Sequence, residues 1–369
     1  MTSRLRQSGR RSHFGGVGSG KRYDGRNGKP ERLFRAVRWA AGRFAPRAFI
    51  LMYHRIAEPE SDPWALSVSP RHFASHLKIL KKYTHPMGLP DLVAHLQDGK
   101  VPRRAVVITF DDGYADNLYE AKPLLERYDV PATVFLPTGH IGESEEFWWD
   151  KLDRLLLNSE RLPKNPRLVV NGRSYVWELS ESYSHQEAKC HHGSDERKGA
   201  LQLCSRRSLY FSVYQLLLPL SEQDREACLH EIQGWISGKP KARRVYRTLS
   251  PEEVDMLCRG GLVEIGAHTI THPFLSAHPE AFQQREIEQG KIDLEAITGQ
   301  PVNSFAYPHG DYDERSVALV RQAGFVCACS IEENSVWRHS DPFLLPRLKV
   351  NNYNGEGFIR RLLGVLALK

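Results

Sequence analysis

Short apolar runs alternate with helical patterns along most of this chain, and this alternation constrains the fold more than any other feature. The runs cover residues 49–53, 105–110, 132–136, 262–267, 304–307 and 325–329. They are rich in β-branched and aromatic residues, as strands are. Because strands that alternate with helices form parallel sheets, the sequence predicts an α/β fold, either a parallel sheet or a barrel.

The alternation stops between about 140 and 249, where helical patterns and a polar stretch predominate. We interpret this segment as a largely helical insertion. After it, Ser250, Pro251 and Glu253 form a capping box with proline in the first turn, which predicts a helix start. The predicted organisation is a tail over 1–46, a first part of the α/β domain over 47–139, the insertion over 140–249, and a second part over 250–369.

Positive charge is concentrated at the start of the chain. Residues 1–47 carry thirteen Lys and Arg against two acidic residues, which leaves 38 basic and 42 acidic residues for the remainder. The segment has few apolar residues, so we predict that most of it is disordered. Residues 32–44 have the pattern of a basic amphipathic helix, which suits an anionic membrane surface or, equally well, packing on the domain.

The same segment bears on location and partners. The basic residues lack a recognisable nucleic-acid-binding fold, so we do not expect nucleic acid as a partner. No apolar stretch has the length of a secretory signal, so we expect a cytoplasmic protein that is peripheral at the inner membrane face. The sequence leaves the oligomeric state open.

Two adjacent carboxylates, Asp111 and Asp112, follow the predicted strand 105–110 and precede Gly113. Acidic residues at a strand end are often turn formers only. A matching set of metal ligands elsewhere in the chain would favour a site instead.

Such a set follows the predicted strand 262–267, where His268 and His272 are four residues apart. If a helical turn begins there, both imidazoles lie on one face, a spacing that suits a single metal ion. In α/β barrels the carboxyl ends of the strands meet at the catalytic face. Two histidines and one carboxylate form a catalytic metal site, and the second aspartate is then available as a base.

These residues resemble a known family, the polysaccharide deacetylases of carbohydrate esterase family four. TFDDGY is similar to its first motif, HTITH to its second, and FAYPHG, residues 305–310, partly to its third. The resemblance implies a distorted (β/α) barrel of the polysaccharide deacetylase type. It also implies that Asp111 is the general base and that Asp112, His268 and His272 hold the metal.

Family members also need a histidine acid, typically supplied by a leucine-any-histidine motif, and LMYHRI, residues 51–56, is partly similar to it, with Leu51 three residues before His54. His54 is therefore the candidate acid. Its place near the start of the chain resembles the circularly permuted branch that includes poly-N-acetylglucosamine deacetylases. A histidine that only satisfies backbone groups at a strand end is the alternative.

The third motif departs from the family pattern. Ala306 stands where the family has an arginine that orients the base, and Arg347 could replace it by folding back. His309 stands where the family has a tyrosine whose backbone N–H helps to bind the oxyanion, and a backbone donor survives that change. The residues predicted to bind substrate are Tyr114, Tyr307, Pro308, Trp148, Trp149 and Arg347.

The resemblance implies a metal-dependent hydrolase that removes acetyl groups from an N-acetylated sugar, polysaccharide or glycolipid precursor. The implied cofactor is a divalent metal ion, zinc first, with cobalt or nickel as alternatives. Two other functions stay open at this point. One is a non-catalytic carbohydrate-binding protein on the same fold, which the absent arginine would suit, and the other is a hydrolase of a different amide or of an ester.

Overall fold

The computed structural model describes residues 47–143, 145–180, 203–236 and 243–367. The predicted tail over 1–46, with its amphipathic helix, lies outside these residues. The strands are β1 Phe49–Tyr53, β2 Arg55–Ile56, β3 Ser67–Val68, β4 His85–Pro86, β5 Ala105–Phe110, β6 Ala132–Leu136, β7 Arg167–Val170, β8 Arg173–Val176, β9 Glu178–Leu179, β10 Leu203–Cys204, β11 Val263–Ala267, β12 Ser304–Ala306, β13 Cys327–Cys329 and β14 Leu348–Lys349.

Ten α-helices lie within the described residues, together with a few shorter turns. The helices are α1 Pro70–Tyr83, α2 Leu89–Gln97, α3 Lys122–Tyr128, α4 Trp148–Leu156, α5 Arg206–Leu217, α6 Glu222–Gln233, α7 Pro251–Cys258, α8 Glu280–Thr298, α9 Glu314–Gln322 and α10 Gly355–Ala367. The capping box predicted for α7 is present, with Ser250 and Glu253 each bonding the other's backbone. None of the helices in these ranges combines the length and the apolar character that crossing a membrane requires.

The main sheet is parallel throughout and carries the fold. Its order is β13-β12-β11-β6-β5-β1-β14, with β4 beside the start of β5. Between β13 and β14 the chain runs back across the gap between the two edges, and the amide of Leu345 donates to the carbonyl of Ala328 at 2.9 Å. The sheet is therefore curled, and the prediction of a distorted (β/α) barrel is confirmed.

Successive residues of the sheet strands face two different cores, because side chains alternate along a strand. Leu51 and Ile108 belong to a large core that lies beneath the helices. Ile50 and Val107 belong to a smaller core that also includes residues of β6, β12 and β13, so this core fills the barrel interior. Helix α2 contributes Leu89, Leu92, Val93 and Leu96 to that interior core. Because α2 also lies near the starts of β11 and β12, it closes the amino end of the barrel.

The insertion has a core of its own, formed by α4, α5, α6 and the short strands around them. The prediction of a largely helical segment is incomplete, because β7 and β8 form an antiparallel hairpin. Its turn is Asn171-Gly172, with φ of 50° and 74°, the conformation of the tightest hairpin turns. An Asn-Gly pair between two β-rich runs is the sequence signal for this hairpin. The boundaries of the predicted domains stay predictions.

Candidate active site and metal centre

The chain turns sharply at the end of β5, and the turn separates the two carboxylates. The amide of Asp111 continues the sheet by donating to the carbonyl of Tyr53 at 3.0 Å. Asp112 and Gly113 then both have positive φ, 73° and 65°. A Cβ atom at Gly113 would lie 2.3 Å from Cδ2 of Leu136, so a larger residue would require that side chain to move as well as a strained backbone. The reversal directs the side chains of Asp111 and Asp112 toward different partners.

Asp111 is held by Arg347. Nη1 and Nη2 of the arginine donate to the two carboxylate oxygens at 2.7 and 2.8 Å, and Nε donates to the carbonyl of Ser330 at 2.9 Å. Burial by itself raises the pKa of Asp111, but the Arg347 guanidinium, together with His268 and His54, lowers it below its ordinary value. Asp111 is therefore a carboxylate with a fixed orientation, as a general base must be.

This geometry corrects one prediction for Arg347. The side chain is completely buried, so it does not line a substrate pocket as predicted. It pairs instead with the carboxylate of Asp111, and small Ala306, on β12 at the position of the family arginine, is completely buried too.

Asp112, His268 and His272 come together as a buried cluster whose ligand atoms all lie within 4.8 Å of one another. Nε2 of His272 is 3.2 Å from Oδ1 of Asp112, and Nε2 of His268 is 3.6 Å from the same atom. Burial raises the pKa of Asp112, but the two imidazoles that face it hold that pKa well below its usual range.

The hydrogen bond of His268 is consistent with a metal ion in this cluster. Nδ1 of His268 lies 2.7 Å from the carbonyl of Ala306 and donates to it, which in the neutral imidazole leaves the Nε2 lone pair on the side facing Asp112. A lone pair and a carboxylate oxygen repel each other unless a cation lies between them. Fixing the tautomer through the second ring nitrogen is also what metal-ligating histidines usually require. Two imidazoles and a carboxylate are ligands of zinc and similar divalent ions.

The backbone that carries the histidines differs from the prediction. Residues 268–272 form no helical turn, and Thr269 and His272 have φ of 67° and 57°. The prediction of a helical HxxxH face is wrong, although the two imidazoles do converge. A tight loop with left-handed residues directs both rings to one point.

His54 follows β1, next to the strand that carries the aspartates. Its carbonyl accepts a hydrogen bond from Nδ2 of Asn117 at 2.9 Å, and its ring is half-buried. Burial lowers the pKa of His54, while the charges of Asp112 and Asp111 act in the opposite direction. The imidazole therefore lies within electrostatic reach of Asp111 and Asp112.

His309 borders the other side of the centre. Its ring stacks on Phe274 with centroids 4.0 Å apart and lies 4.4 Å from the ring of His272. The residue has a φ of 57°, and its amide N–H makes no hydrogen bond with the residues that the structure describes. A free N–H beside a metal centre is the donor that an oxyanion needs.

Comparisons with known proteins agree with this geometry. The family model described as polysaccharide deacetylase matches residues 98–161 and 211–328, which include both aspartates, both metal-ligating histidines and His309. The chain belongs to the polysaccharide deacetylase family. His54 lies outside the matched ranges, and the circular permutation stays a prediction.

Curated relatives resemble only parts of the chain. YxkH of Bacillus subtilis, a protein named for this family, is 33% identical over 136 residues, which is 36% of this chain and 47% of that protein. The poly-β-1,6-N-acetyl-D-glucosamine N-deacetylase of Staphylococcus aureus is 42% identical over 79 residues, 21% of this chain and 27% of that protein. The chain thus spans less than half the length of either relative.

Solved structures share the fold over most of the chain. The deacetylase PplD of Streptococcus pyogenes has a TM-score of 0.54 at 17% identity, covering 88% of this chain and 99% of that one. IcaB of Ammonifex degensii has a TM-score of 0.54 at 16% identity, covering 87% and 97%. At these identities the likeness concerns the fold alone.

Of the two tryptophans predicted to wall the pocket in this deacetylase-family chain, one lies at the centre. The ring of Trp149 is 5.1 Å from that of His272 and 6.3 Å from that of His309. The ring of Trp148 instead stacks on Tyr214 inside the insertion, 4.8 Å away. The pocket role therefore stays a prediction for Trp149, and the structure does not place Trp148 beside the metal ligands.

Two predicted substrate-binding tyrosines are completely buried, and this corrects the prediction for their side chains. The hydroxyl of Tyr114 donates to Oδ2 of Asp150 at 2.7 Å, and that of Tyr307 donates to the carbonyl of Phe343 at 3.2 Å. Pro308 is buried as well, in the short turn that positions His309. All three residues are buried beneath the site and do not line it.

Sequence reasoning missed Glu286, a buried residue of α8 that contacts the loop over residues 268–272, which carries the two histidines. A signal was present, because the buried residues of α8 recur at helical spacing and Glu286 falls among them. An acid on the buried face of a helix needs hydrogen-bond partners, and here the loop supplies them.

Proposed function

We propose that this chain is a metal-dependent deacetylase that hydrolyses an N-acetyl group of a saccharide. The observation that carries the proposal is the pair of neighbouring aspartates with different partners, Asp111 on Arg347 and Asp112 on two histidines. Asp111 then serves as an oriented general base, and Asp112 serves as a ligand of a cation. The staphylococcal relative, named for an N-deacetylase of poly-β-1,6-N-acetyl-D-glucosamine, supports the substrate class.

Asp112, His268 and His272 would hold the ion. A divalent ion bound there supplies Lewis acidity, which polarises the acetyl carbonyl and lowers the pKa of water. We propose zinc, because its preferred donors are imidazole nitrogens and carboxylate oxygens, with cobalt and nickel as functional substitutes.

The remaining steps belong to side chains and backbone of this chain. Asp111 accepts a proton from the attacking water as its oxygen bonds to the acetyl carbon. The N–H of His309 donates to the carbonyl oxygen as negative charge develops on it. His54 donates a proton to the amide nitrogen as the C–N bond breaks, which releases acetate and a free amino sugar.

Acetate release from a panel of N-acetylated sugars and oligosaccharides by the zinc-loaded chain tests this proposal. We expect release by the wild type and a loss of at least about 10²-fold in Asp111→Asn, which keeps the shape but not the basicity. An O-acetyl panel separates an esterase from an N-deacetylase. Glycan binding without acetate release from any substrate would favour a non-catalytic carbohydrate-binding protein.

We also propose that the protein works in the cytoplasm at the inner membrane face, through its basic first 47 residues. The high density of Lys and Arg in that segment supports the idea. Flotation with vesicles of phosphatidylglycerol, against neutral vesicles, tests it, together with cell fractionation. Failure to float with the anionic vesicles, or recovery outside the cytoplasmic membrane, would contradict it.

A further inference from the structure

The loop over residues 268–272 carries both metal-ligating histidines in a backbone conformation that is costly. Thr269 and His272 have φ of 67° and 57°, in the left-handed region. This region is unfavourable for non-glycine residues and most of all for β-branched ones such as threonine. Contacts from outside the loop must therefore stabilise it.

One set of contacts comes from the chain that follows β6. The amides of Thr138 and Gly139 donate to the carbonyls of Thr269 and Ile270 at 3.1 and 2.9 Å. These bonds fix the carbonyl side of the loop. The amides of Ile270 and Thr271 are not satisfied by this segment.

Glu286 satisfies those amides from the other side. Its Oε2 accepts from the amides of Ile270 and Thr271 at 2.9 and 2.8 Å, and its Oε1 accepts from Oγ1 of Thr271 at 2.9 Å. The side chain is only 4% exposed. Hydrogen bonds to a buried carboxylate are charge-assisted and strong, which suits a group that offsets backbone strain.

Gly290, one turn after Glu286 in α8, permits this close contact with the loop. A Cβ atom at Gly290 would lie 3.1 Å from both the carbonyl carbon and the oxygen of Thr269. The glycine lets α8 approach the loop closely enough for Glu286 to reach both amides. Glu286 and Gly290 are four residues apart and face the same side of the helix.

We propose that Glu286 is a positioning residue that sets the affinity of the centre for its metal ion. The carboxylate binds no metal itself and holds the loop in the conformation that turns both Nε2 atoms toward Asp112. Without this carboxylate the loop relaxes. Metal binding must then reorder the two histidines, which lowers the affinity for the ion. The inference rests on the metal site of the proposed function but not on its substrate.

The test compares zinc dissociation constants, measured by competition with a chromophoric chelator, for the full chain and its variants. In Glu286→Ala we expect affinity to fall by about 10- to 100-fold, the usual effect of removing a partner that orients a ligand. Glu286→Gln should restore most of it, because one amide oxygen still accepts both N–H groups and Oγ1 of Thr271 can accept from the amide nitrogen. Glu288→Ala, on the same helix, is the matched control and should bind as the wild type does.

The zinc affinity of the folded variants, and not their stability, decides whether the inference holds. If Glu286→Ala stays folded at the assay temperature and binds zinc as tightly as the wild type, the inference is wrong. If it does not fold, Gly290→Ala replaces it, since its Cβ atom presses on the same loop, and unchanged affinity there would equally contradict the inference. A wild-type chain that binds no divalent ion would overturn the metal site and this inference together, whereas zinc binding without acetate release would count against the proposed reaction alone.

Discussion

Four residues of the candidate site have backbone conformations that non-glycine residues seldom adopt. They are Asp112, Thr269, His272 and His309, with φ between 57° and 73°. Three of them supply a functional group, and Thr269 belongs to the loop that orients His272. Strain of this kind is concentrated at functional sites, where the surrounding structure maintains it. The site is therefore shaped by its backbone as much as by its side chains.

Replacing Arg347 with methionine should impair the base and the fold together. The variant leaves Asp111 buried without its partner, which is expected to cost about 3–5 kcal/mol of stability. Because the guanidinium lowers the pKa of Asp111, its removal raises that pKa. The acid limb of the kcat/KM profile should therefore move to higher pH, so that activity at low pH is lost first.

A pH profile of acetate release and a thermal melt measure both effects. Arg347→Lys is the matched variant, since it keeps the charge but loses the bidentate geometry. We expect an intermediate position of the acid limb. An unchanged limb in Arg347→Met would show that the arginine does not control the base.

Removing the imidazole of His54 should slow release of the amine. The loss expected for a general acid is about 10²- to 10⁴-fold in kcat. His54→Ala is compared with His95→Ala, an exposed histidine of α2. Turnover near the wild-type value in His54→Ala would leave His54 with the alternative role of a strand-end histidine.

Local motifs made the candidate metal ligands predictable. The pairing of Arg347 with Asp111 could not be predicted in this way. Asp112, His268 and His272 each follow an apolar strand within a short recognisable pattern. The bond between Arg347 and Asp111 joins residues 236 positions apart, and no local pattern reports such a pairing. Sequence reasoning therefore offered Arg347 two roles, and only the folded geometry separates them.

At the level of elements, predictions from periodicity were most accurate where the pattern was strongest. The bounds predicted for β1, β5 and β6 agree with the structure residue for residue. The helical turn considered for 268–272 is absent, and the amides of Ile270 and Thr271 donate instead to Glu286, outside the segment. Tertiary contacts of this kind are invisible to a periodicity argument.

A buried histidine joins α1 to α10 and should make this contact sensitive to acid. Nδ1 of His76 lies 3.2 Å from the hydroxyl of Tyr53 and Nε2 lies 2.7 Å from the carbonyl of Tyr353. The ring also stacks on Phe358, with centroids 4.0 Å apart. Burial lowers the pKa of His76 to about 4.

As the pH falls below about 6.5, the unfolded chain takes up a proton at His76 that the folded chain refuses until about pH 4. Stability is therefore present above this window and lost within it, by at most about 3 kcal/mol. His76→Gln lacks this titration, so its melting temperature should approach that of the wild type as pH falls from 7 to 4. A constant difference would contradict the assignment, and His95→Gln is the exposed control.

On the scale of the whole molecule, the insertion and the barrel are joined by hydrogen bonds that are at least partly buried. Nη2 of Arg55 donates to the carbonyl of Val245 at 2.6 Å, and Nε1 of Trp64 donates to the hydroxyl of Tyr210 at 2.8 Å. Trp149, from the insertion, reaches the ring of His272. We therefore expect the insertion and the barrel to unfold in one cooperative transition.

Leu209→Ala, in the core of the insertion, tests this cooperativity. The substitution should cost about 2–5 kcal/mol. Four of the seven tryptophans lie in the insertion, so fluorescence reports on it while far-UV circular dichroism reports on the whole chain. Both signals should shift together, as they should in Leu92→Ala within the barrel. A fluorescence transition that moves alone would show that the insertion unfolds independently.

The pairing of Arg347 with Asp111 also bears on how the chain is made. Translation delivers both aspartates long before the arginine, which follows 236 residues later. A ribosome-bound chain that stops short of residue 347 holds every metal ligand but lacks the cation that orients its base. Such an incomplete chain would carry all three residues of the proposed metal site while Asp111 still lacks the guanidinium that fixes its orientation.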